Sequence, residues 1–204
     1  MADNALGQTK QGSKVAATSF EQGFTLRRAT REDVPALREL IAWSVRVLQR
    51  SDYSAEQLEA ALGTVYGVDT QLIVDGSYYV LETTGESKGK FIVACGGWSK
   101  RKTLFGSDHG PNRDSSLLYP ARDAAKIRAF FVHPDWVRRG LATRILRACE
   151  EAAYTQGFRR FEMGATLTGV PMYAACGYSK DETLETPLGK GLALTVVRMS
   201  KSVA

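Results

Sequence analysis

The sequence has few of the residues from which metal sites and disulfide frameworks are built. Its 204 residues include three cysteines (Cys95, Cys149 and Cys176) and two histidines (His109 and His133). The cysteines form no C-x-x-C pair, and two histidines do not supply the ligand spacing of a zinc site. An odd number of widely separated cysteines also argues against a disulfide scaffold. We therefore predict that the protein binds no metal and that its thiols are free, as in a reducing compartment.

Long apolar segments are missing as well. No run of apolar residues approaches the ~20 that a membrane-spanning helix needs, and residues 1–22 lack the apolar core of a secretory signal. With 44% hydrophobic and 24% charged residues, the composition also excludes a disordered or collagen-like chain. These absences predict a cytoplasmic protein without a membrane partner, in which a polar tail over residues 1–22 precedes one folded domain over 23–204.

The net charge of +5 comes from a surplus of basic residues in one part of the chain. Residues 99–147 contain 11 Lys and Arg against 4 Asp and Glu, a local charge of +7, so the remaining residues sum to −2. Such a concentration of positive charge favours binding of an anionic partner at one site of the protein. No nucleic-acid-binding motif is recognisable, and the aromatic residues are not interleaved with the basic ones. We therefore expect a phosphate-bearing ligand and no nucleic-acid partner.

Apolar periodicity and turn residues predict strands and helices in the order β-α-α-β-β-β-α-β-α-β. The predicted strands are Phe24–Arg28, Tyr78–Glu82, Lys90–Trp98, Lys126–Val132, Phe158–Ala165 and Leu192–Met199; the helices are Glu32–Gln49, a short one around Leu58, Arg138–Gln156 and Pro171–Cys176. A hairpin followed by a strand–helix–strand unit is typical of one mixed sheet with helices on both faces. Gly96 and Gly97 within the third strand indicate a bulge or a close approach by a ligand. Residues 99–124 are irregular. A segment of this kind is usually a lid, a binding loop or a disordered insertion, and the sequence leaves these three interpretations open.

A candidate anion site lies where the fourth predicted strand leads into a helix. The strand ends at Val132, and a tight turn then enters a helix whose first turn is predicted to hold Gly140 and Ala142. The first N–H groups of a helix have no intrahelical acceptor, and the helix dipole makes that end positive. Small residues allow an anion to reach those N–H groups. Three arginines lie close by in the sequence: Arg138, Arg139 and Arg144. The arrangement is suited to a diphosphate.

Two motifs in this half of the chain resemble those of the GCN5-related N-acetyltransferase (GNAT) superfamily. In that family a strand ending in V-x-P is followed by the loop Q/R-x-x-G-x-G/A. Here the corresponding residues are Val132–Pro134 and Val137–Ala142, with Val137 in place of Gln or Arg. A later Y-x-x-x-G-F/Y pattern of the family is matched by Tyr173–Tyr178. The predicted strands and helices over residues 126–178 follow the family's order.

The resemblance implies a fold, a cosubstrate and a reaction. The fold is a single α/β acetyltransferase domain over residues 23–204, with a twisted mixed sheet that is splayed between its fourth and fifth strands. The reaction is transfer of an acetyl group from acetyl-CoA to a primary amine of a small molecule, by direct attack in a ternary complex without a metal. The residues implied to bind the cosubstrate are Phe130, Phe131, Val132, Arg138, Arg139, Gly140, Leu141, Ala142 and Thr143.

The resemblance also implies roles in the chemical step. Tyr173 would protonate the departing thiolate, since a phenol of pKa about 10 is matched to a thiol of pKa about 8.5. A backbone N–H near Phe131 or Val132 would stabilise the developing oxyanion.

The sequence does not identify the general base. Some members of the family carry a glutamate on the fourth strand, where this sequence has Lys126, Arg128 and Ala129. The remaining candidates are a chain of water molecules and three residues of the irregular segment: Asp108, His109 and Asp123.

Alternatives remain for the activity, the assembly and the acceptor site. The missing carboxylate leaves open a non-catalytic acyl-CoA-binding module that senses or scaffolds, and the sequence leaves open a homodimer. Two or three aromatic residues are expected to face the acceptor, out of the set Trp43, Tyr53, Tyr66, Tyr78, Tyr79, Trp98 and Phe105.

Overall fold

The computed structural model describes residues 23–85, 89–110 and 113–204. The predicted polar tail over residues 1–22 lies outside this part of the chain. The strands are β1 (Phe24–Arg28), β2 (Tyr78–Gly85), β3 (Gly89–Ser99), β4 (Ala125–Val132), β5 (Arg160–Thr166), β6 (Ser179–Gly189) and β7 (Leu192–Ser202). The helices are α1 (Val34–Leu48), α2 (Ala55–Ala61), α3 (Thr70–Val74), α4 (Leu141–Thr155) and α5 (Val170–Ala175). None of these helices is long and apolar enough to cross a membrane.

All seven strands belong to one sheet, in the order β1-β2-β3-β4-β5-β7-β6. Neighbouring strands are antiparallel except β4 and β5, which are parallel because α4 carries the chain back between them. This mixed sheet with helices on both faces confirms the predicted α/β class.

The sheet is open at its centre. Strands β4 and β5 pair only at Ala125 with Phe161 and at Lys126 with Glu162, whose side chains form an ion pair. Beyond that rung the two strands separate, although each stays paired along its other edge, β4 with β3 and β5 with β7. The predicted splay between the fourth and fifth strands is therefore present.

Two hydrophobic cores cover the two faces of the sheet. On one face α4 buries Leu141, Ile145, Leu146, Cys149 and Ala153, which recur at helical spacing. On the other face α1 buries a similar stripe: Leu37, Leu40, Ile41 and Val45. Burial of both stripes fixes α4 and α1 on opposite sides of the opening, so that each contributes residues to it.

Strand β4 contains a bulge at the level of the opening. Cys95 pairs with Phe131 but Gly97 pairs with Arg128, so β4 has one residue more than β3 between these rungs. The extra residue is accommodated at Ala129, whose φ is +58°. A Cβ built at Gly96 would lie 2.8 Å from the Phe130 ring, so the Gly96 position has to remain without a side chain. The paired glycines thus mark a bulge, one of the two meanings predicted for them.

The structure adds two elements that the sequence did not predict, α3 and β6. Strand β6 is an exposed edge strand that pairs only with β7 and contains Pro187. It therefore lacks the apolar alternation of a half-buried strand. Helix α3 has five residues, too few to show a helical period, and is capped by Asp69, which accepts a hydrogen bond from the Gln71 N–H.

Helix α4 begins at Leu141, three residues later than predicted. Arg138 and Gly140 have φ values of +62° and +73°, and a right-handed helix cannot include such residues. Gly140 is therefore the N-cap of α4 and lies outside its first turn. At the other end, Gly157 with φ +93° follows the helix, as predicted.

Candidate active site

A cleft of about 600 Å³ opens where β4 and β5 separate. One wall is β4 from Ile127 to Val132, and the opposite wall is β5 from Met163 to Thr166. The turn before α4 lies at one end, and residues from α1 and from the irregular segment 100–124 lie at the other. The opening of the sheet therefore gives access to an edge of β4 whose backbone groups have no strand partner beyond Lys126.

The N-terminus of α4 faces this cleft. The first α4 hydrogen bond to the cap runs from the Arg144 N–H to the Gly140 carbonyl, at 2.9 Å. The N–H groups of Leu141, Ala142 and Thr143 therefore precede the intrahelical ladder. Among the described residues no side chain caps this end, and a Cβ built at Gly140 would meet no atom within 4 Å. The space in front of these N–H groups is open, which fits the approach of an anion.

The structure brings eight of the nine predicted cosubstrate residues to the cleft. The residues that line it are Phe130, Phe131, Val132, Arg138, Gly140, Leu141, Ala142 and Thr143. Arg139 is not among the lining residues, and its guanidinium lies 4.6 Å above the Trp136 ring. Arg144 donates a hydrogen bond to the Phe24 carbonyl at 3.3 Å, which ties α4 to β1.

Tyr173 on α5 also lines the cleft, on the side of β5. Its ring packs edge-on against Phe130, with 6.1 Å between centroids, and against Tyr178 at the same distance. In the described part of the chain its hydroxyl has no hydrogen-bond partner, unlike that of Tyr178, which donates to Glu150 at 2.9 Å. Burial raises the pKa of the Tyr173 phenol well above its ordinary value, so the group is protonated at neutral pH.

The opposite end of the cleft is mainly apolar and aromatic. Its lining includes Leu48, Val65, Tyr66, Phe105 and Val196. Gln49 lies beside them and accepts a hydrogen bond of 2.6 Å from the Tyr66 hydroxyl. Of the seven aromatic residues proposed from the sequence for the acceptor side, Tyr66 and Phe105 line the cleft. Burial raises the pKa of Tyr66, so its hydroxyl is a hydrogen-bond donor at neutral pH.

A buried charge network supports this end of the cleft. Arg128 on β4 has a side chain that is 2% exposed and lies 2.7 Å from Asp69, which is itself fully buried. Asp69 also accepts from Arg113 at 3.0 Å. Arg128 also donates a hydrogen bond of 2.8 Å to the Gly106 carbonyl. The network joins β4, the start of α3 and the irregular segment.

The structure shows that the irregular segment is a packed wall in its described ranges, 100–110 and 113–124. Its two sides pair through hydrogen bonds from Lys102 N–H to the Ser116 carbonyl and from Thr103 N–H to the Asp114 carbonyl, both 3.1 Å. Arg101, one of the basic residues at its start, forms a bidentate ion pair with Asp75 at 2.7 and 2.9 Å.

The three candidate bases of that segment do not line the cleft. Asp108 accepts a hydrogen bond from the Thr70 N–H at 2.9 Å, and Asp123 accepts one from the Tyr119 N–H at 2.7 Å. His109 is exposed. Among the described lining residues, the charged side chains are those of Arg128 and Arg138. The described residues also contain no group of three or more His, Cys, Asp or Glu that could hold a metal ion.

Comparison with known proteins identifies the part of the chain that forms this cleft. Residues 117–202, which contain β4 to β7, match the family model described as acetyltransferase (GNAT) domain. This part of the chain, which contains both motifs noted in the sequence, is similar to a GNAT acetyltransferase domain. This confirms the resemblance found in the sequence, the acyltransferase class and acetyl-CoA as cosubstrate of the acetyltransferase. No curated protein matches the sequence significantly.

Solved structures share the fold of this chain at low sequence identity. A GCN5-related N-acetyltransferase from Rhodopseudomonas palustris is 21% identical, with a TM-score of 0.64 over 89% of this chain and 97% of that one. The acetyltransferase yncA from Salmonella typhimurium, solved with acetyl-CoA, is 14% identical, with a TM-score of 0.57 over 90% and 95%. A ribosomal-protein-alanine N-acetyltransferase from Brucella melitensis is 16% identical, with a TM-score of 0.54 over 88% and 99%. The fold is thus shared across most of the chain.

The buried network gives a first prediction. Replacing Asp69→Asn keeps a cap for α3 but leaves Arg128 and Arg113 without their counter-charge in a buried place. We expect the free energy of unfolding to fall by about 3 to 5 kcal/mol, measured by urea denaturation. Glu59→Gln is the control, because its ion pair with Arg46 is more than half exposed on both sides and should leave the urea midpoint nearly unchanged. Equal small effects of the two substitutions would contradict the prediction.

Proposed function

We propose that the protein transfers the acetyl group of acetyl-CoA to a primary amine of a small molecule by direct attack in a ternary complex. The observation that carries the proposal is the open N-terminus of α4 at one end of a cleft that runs along the free edge of β4. When bound there, acetyl-CoA supplies a thioester carbonyl for the amine to attack.

The diphosphate of the cosubstrate fits the N-terminus of α4. The N–H groups of Leu141, Ala142 and Thr143 would donate to its oxygens, and the positive end of the helix dipole adds a favourable charge. Arg138 lines the same end of the cleft and supplies a full positive charge. The left-handed Gly140 leaves the approach to these donors free of a side chain.

The free edge of β4 would bind the extended part of the cosubstrate as an added strand does. The His133 N–H donates to the Val93 carbonyl on β3 at 2.8 Å, so strand alternation directs the N–H of Val132 to the opposite edge, which faces β5. Of the two backbone donors expected from the sequence, this orientation favours Val132 over Phe131. We assign to the Val132 N–H the hydrogen bond to the thioester oxygen, where negative charge develops during attack.

We assign to Tyr173 the role of proton donor to the leaving thiolate. Its hydroxyl lies at the cleft without a partner among the described residues, so it can donate to the leaving sulfur. The acceptor amine would enter from the apolar end, where Tyr66, Gln49 and Phe105 lie. The mostly apolar lining supports a small molecule as acceptor.

We also propose a cytoplasmic location, because the thiols of Cys95 and Cys149 are free and buried. Burial raises the pKa of both thiols, which keeps them in the unreactive protonated form.

The activity is tested by incubating the protein with acetyl-CoA and a panel of primary amines while free thiol is measured. We expect thiol release that depends on an amine, together with an acetylated amine of the expected mass. Tight binding of acetyl-CoA in calorimetry without release by any amine would favour the non-catalytic acyl-CoA-binding module, and absence of binding would contradict both functions.

The α4 site gives a second prediction. Gly140→Ala should raise the Kd for coenzyme A about tenfold in calorimetry, because a methyl group enters the space in front of the α4 N–H groups. Gly191→Ala is the matched control: Gly191 has φ +78°, open space around its Cβ position and no part in the cleft. Both variants should lose about 1 kcal/mol of stability from the left-handed backbone. The prediction is wrong if the two variants bind coenzyme A equally well.

The role of Tyr173 gives a third prediction. Tyr173→Phe keeps the ring packing but removes the proton donor, so kcat should fall roughly 10²-fold with little change in the KM for acetyl-CoA. Tyr178→Phe is the control, because it removes a buried hydroxyl that bonds to Glu150 outside the cleft. That variant should lose stability and keep kcat. An unchanged kcat in Tyr173→Phe would remove Tyr173 from the chemical step.

A further inference from the structure

Phe105 reaches from the irregular segment across the sheet to β5. Its ring lies so close to the backbone of Gly164 that a Cβ built at Gly164 would be 2.5 Å from Phe105 Cδ1. Met163 and Ala165, the neighbours of Gly164, pack into the core on the α4 side. Alternation along β5 therefore places Gly164 and the Phe105 ring on the α1 side of the sheet, where the acceptor is proposed to enter.

The backbone next to Phe105 is held on several sides. The Gly106 carbonyl accepts from Arg128 at 2.8 Å, and the Ser107 N–H donates to the Thr64 carbonyl at 2.8 Å. The Ser107 hydroxyl donates to the Gly63 carbonyl at 2.7 Å. Gly106 has φ +105°, which a residue with a side chain rarely adopts. The ring of Phe105 is thus presented to the cleft from an anchored turn.

Phe105 lies at the apolar end of the cleft, next to the separated strands β4 and β5. It lines the cleft together with Gly164 on β5 and with Phe131 on β4, which flank the opening. Phe131 in turn packs edge-on against Tyr66, with 6.2 Å between centroids. An amine directed at a thioester on the β4 edge would have its body beside these rings. The volume of Phe105 therefore limits the volume of that body.

We propose that Phe105 is the residue that sets acceptor size, and that the acceptors are primary amines with slender, uncharged bodies. The proposal rests on the proposed function, because it places the acceptor at the apolar end of the cleft. The anchored turn and the contact with Gly164 distinguish this ring from a side chain that merely fills space. Nothing in the proposal requires turnover, since it concerns the shape of the site.

The test uses conjugates that carry both substrates in one molecule. In each conjugate the coenzyme A sulfur is linked through –CH2–C(=O)–NH– to a group R, with R methyl, n-butyl, benzyl or naphthylmethyl, and Kd is measured by calorimetry. Wild-type protein should bind the methyl and butyl conjugates more tightly than the naphthylmethyl conjugate. Phe105→Ala should gain about tenfold in affinity for the naphthylmethyl conjugate and stay within about twofold for the methyl conjugate.

Two further variants separate this role from a general loosening of the wall. Leu104→Ala changes the neighbouring residue, which does not line the cleft, and should leave the size profile as in wild type. Gly164→Ala should push the Phe105 ring into the cleft and weaken binding of the larger conjugates. Adding Phe105→Ala to Gly164→Ala should restore that binding, because the clash disappears.

The outcomes distinguish the two proposals. Normal binding of coenzyme A with the same size profile in wild type and Phe105→Ala would overturn the role of Phe105 and leave the proposed function standing. The same gain in Leu104→Ala as in Phe105→Ala would also overturn it. Failure of wild-type protein to bind coenzyme A at all would overturn the proposed function, and with it the acceptor site.

Discussion

The parallel pairing between β4 and β5 stops after two rungs, and the remaining features of the site depend on that interruption. Each of the two strands remains paired on its outer edge, so the backbone groups along the inner edges are left for a ligand. The ion pair between Lys126 and Glu162 lies at the last rung, and the cleft begins directly above it, at Ile127 and Met163. Had the pairing continued, the protein would have a closed sheet and no cleft.

Two local distortions determine what the opening presents. The bulge at Ala129 interrupts the pairing of β4 with β3 after Arg128. Regular pairing resumes at Phe131, which lies opposite Cys95. The buried Tyr78 hydroxyl, 3.3 Å from the Ala129 carbonyl, supports the distorted backbone. In the turn that follows the strand, the left-handed Gly140 comes directly before α4, and the first residues of α4 line the cleft. Backbone N–H donors thus face the cleft both from the edge of β4 and from the N-terminus of α4.

Several of the basic residues in the segment 99–147 are already paired within the structure. Arg101, Lys126, Arg113 and Arg128 pair with acidic residues outside that segment, which are Asp75, Glu162 and Asp69. These basic residues support the wall of the cleft and are not available to a ligand. Of the three arginines near the start of α4, Arg138 lines the cleft. A count of charges along the sequence cannot show which of them are already paired.

The β4 and α4 side of the cleft could be predicted from the sequence because it is formed by one continuous segment, residues 127–143. A strand end, a turn and a helix start each have local sequence signals, and Gly140 is one of them. The lining of the apolar end could not be predicted in the same way, because it is assembled from distant segments. The contact of Phe105 with Gly164 and that of Arg128 with Asp69 join residues 59 positions apart in each case. Edge strand β6 and the short α3 were missed for a different reason, since neither buries enough surface to impose a period on its sequence.

A crystal structure of the protein with a non-hydrolysable acetyl-CoA analogue would show directly whether β4 and α4 bind the cosubstrate. We expect the diphosphate at the N–H groups of Leu141, Ala142 and Thr143, the pantetheine arm along the free edge of β4, and the acyl oxygen within hydrogen-bond distance of the Val132 N–H. Density for the diphosphate away from α4, or a pantetheine arm paired with β5 instead of β4, would contradict it.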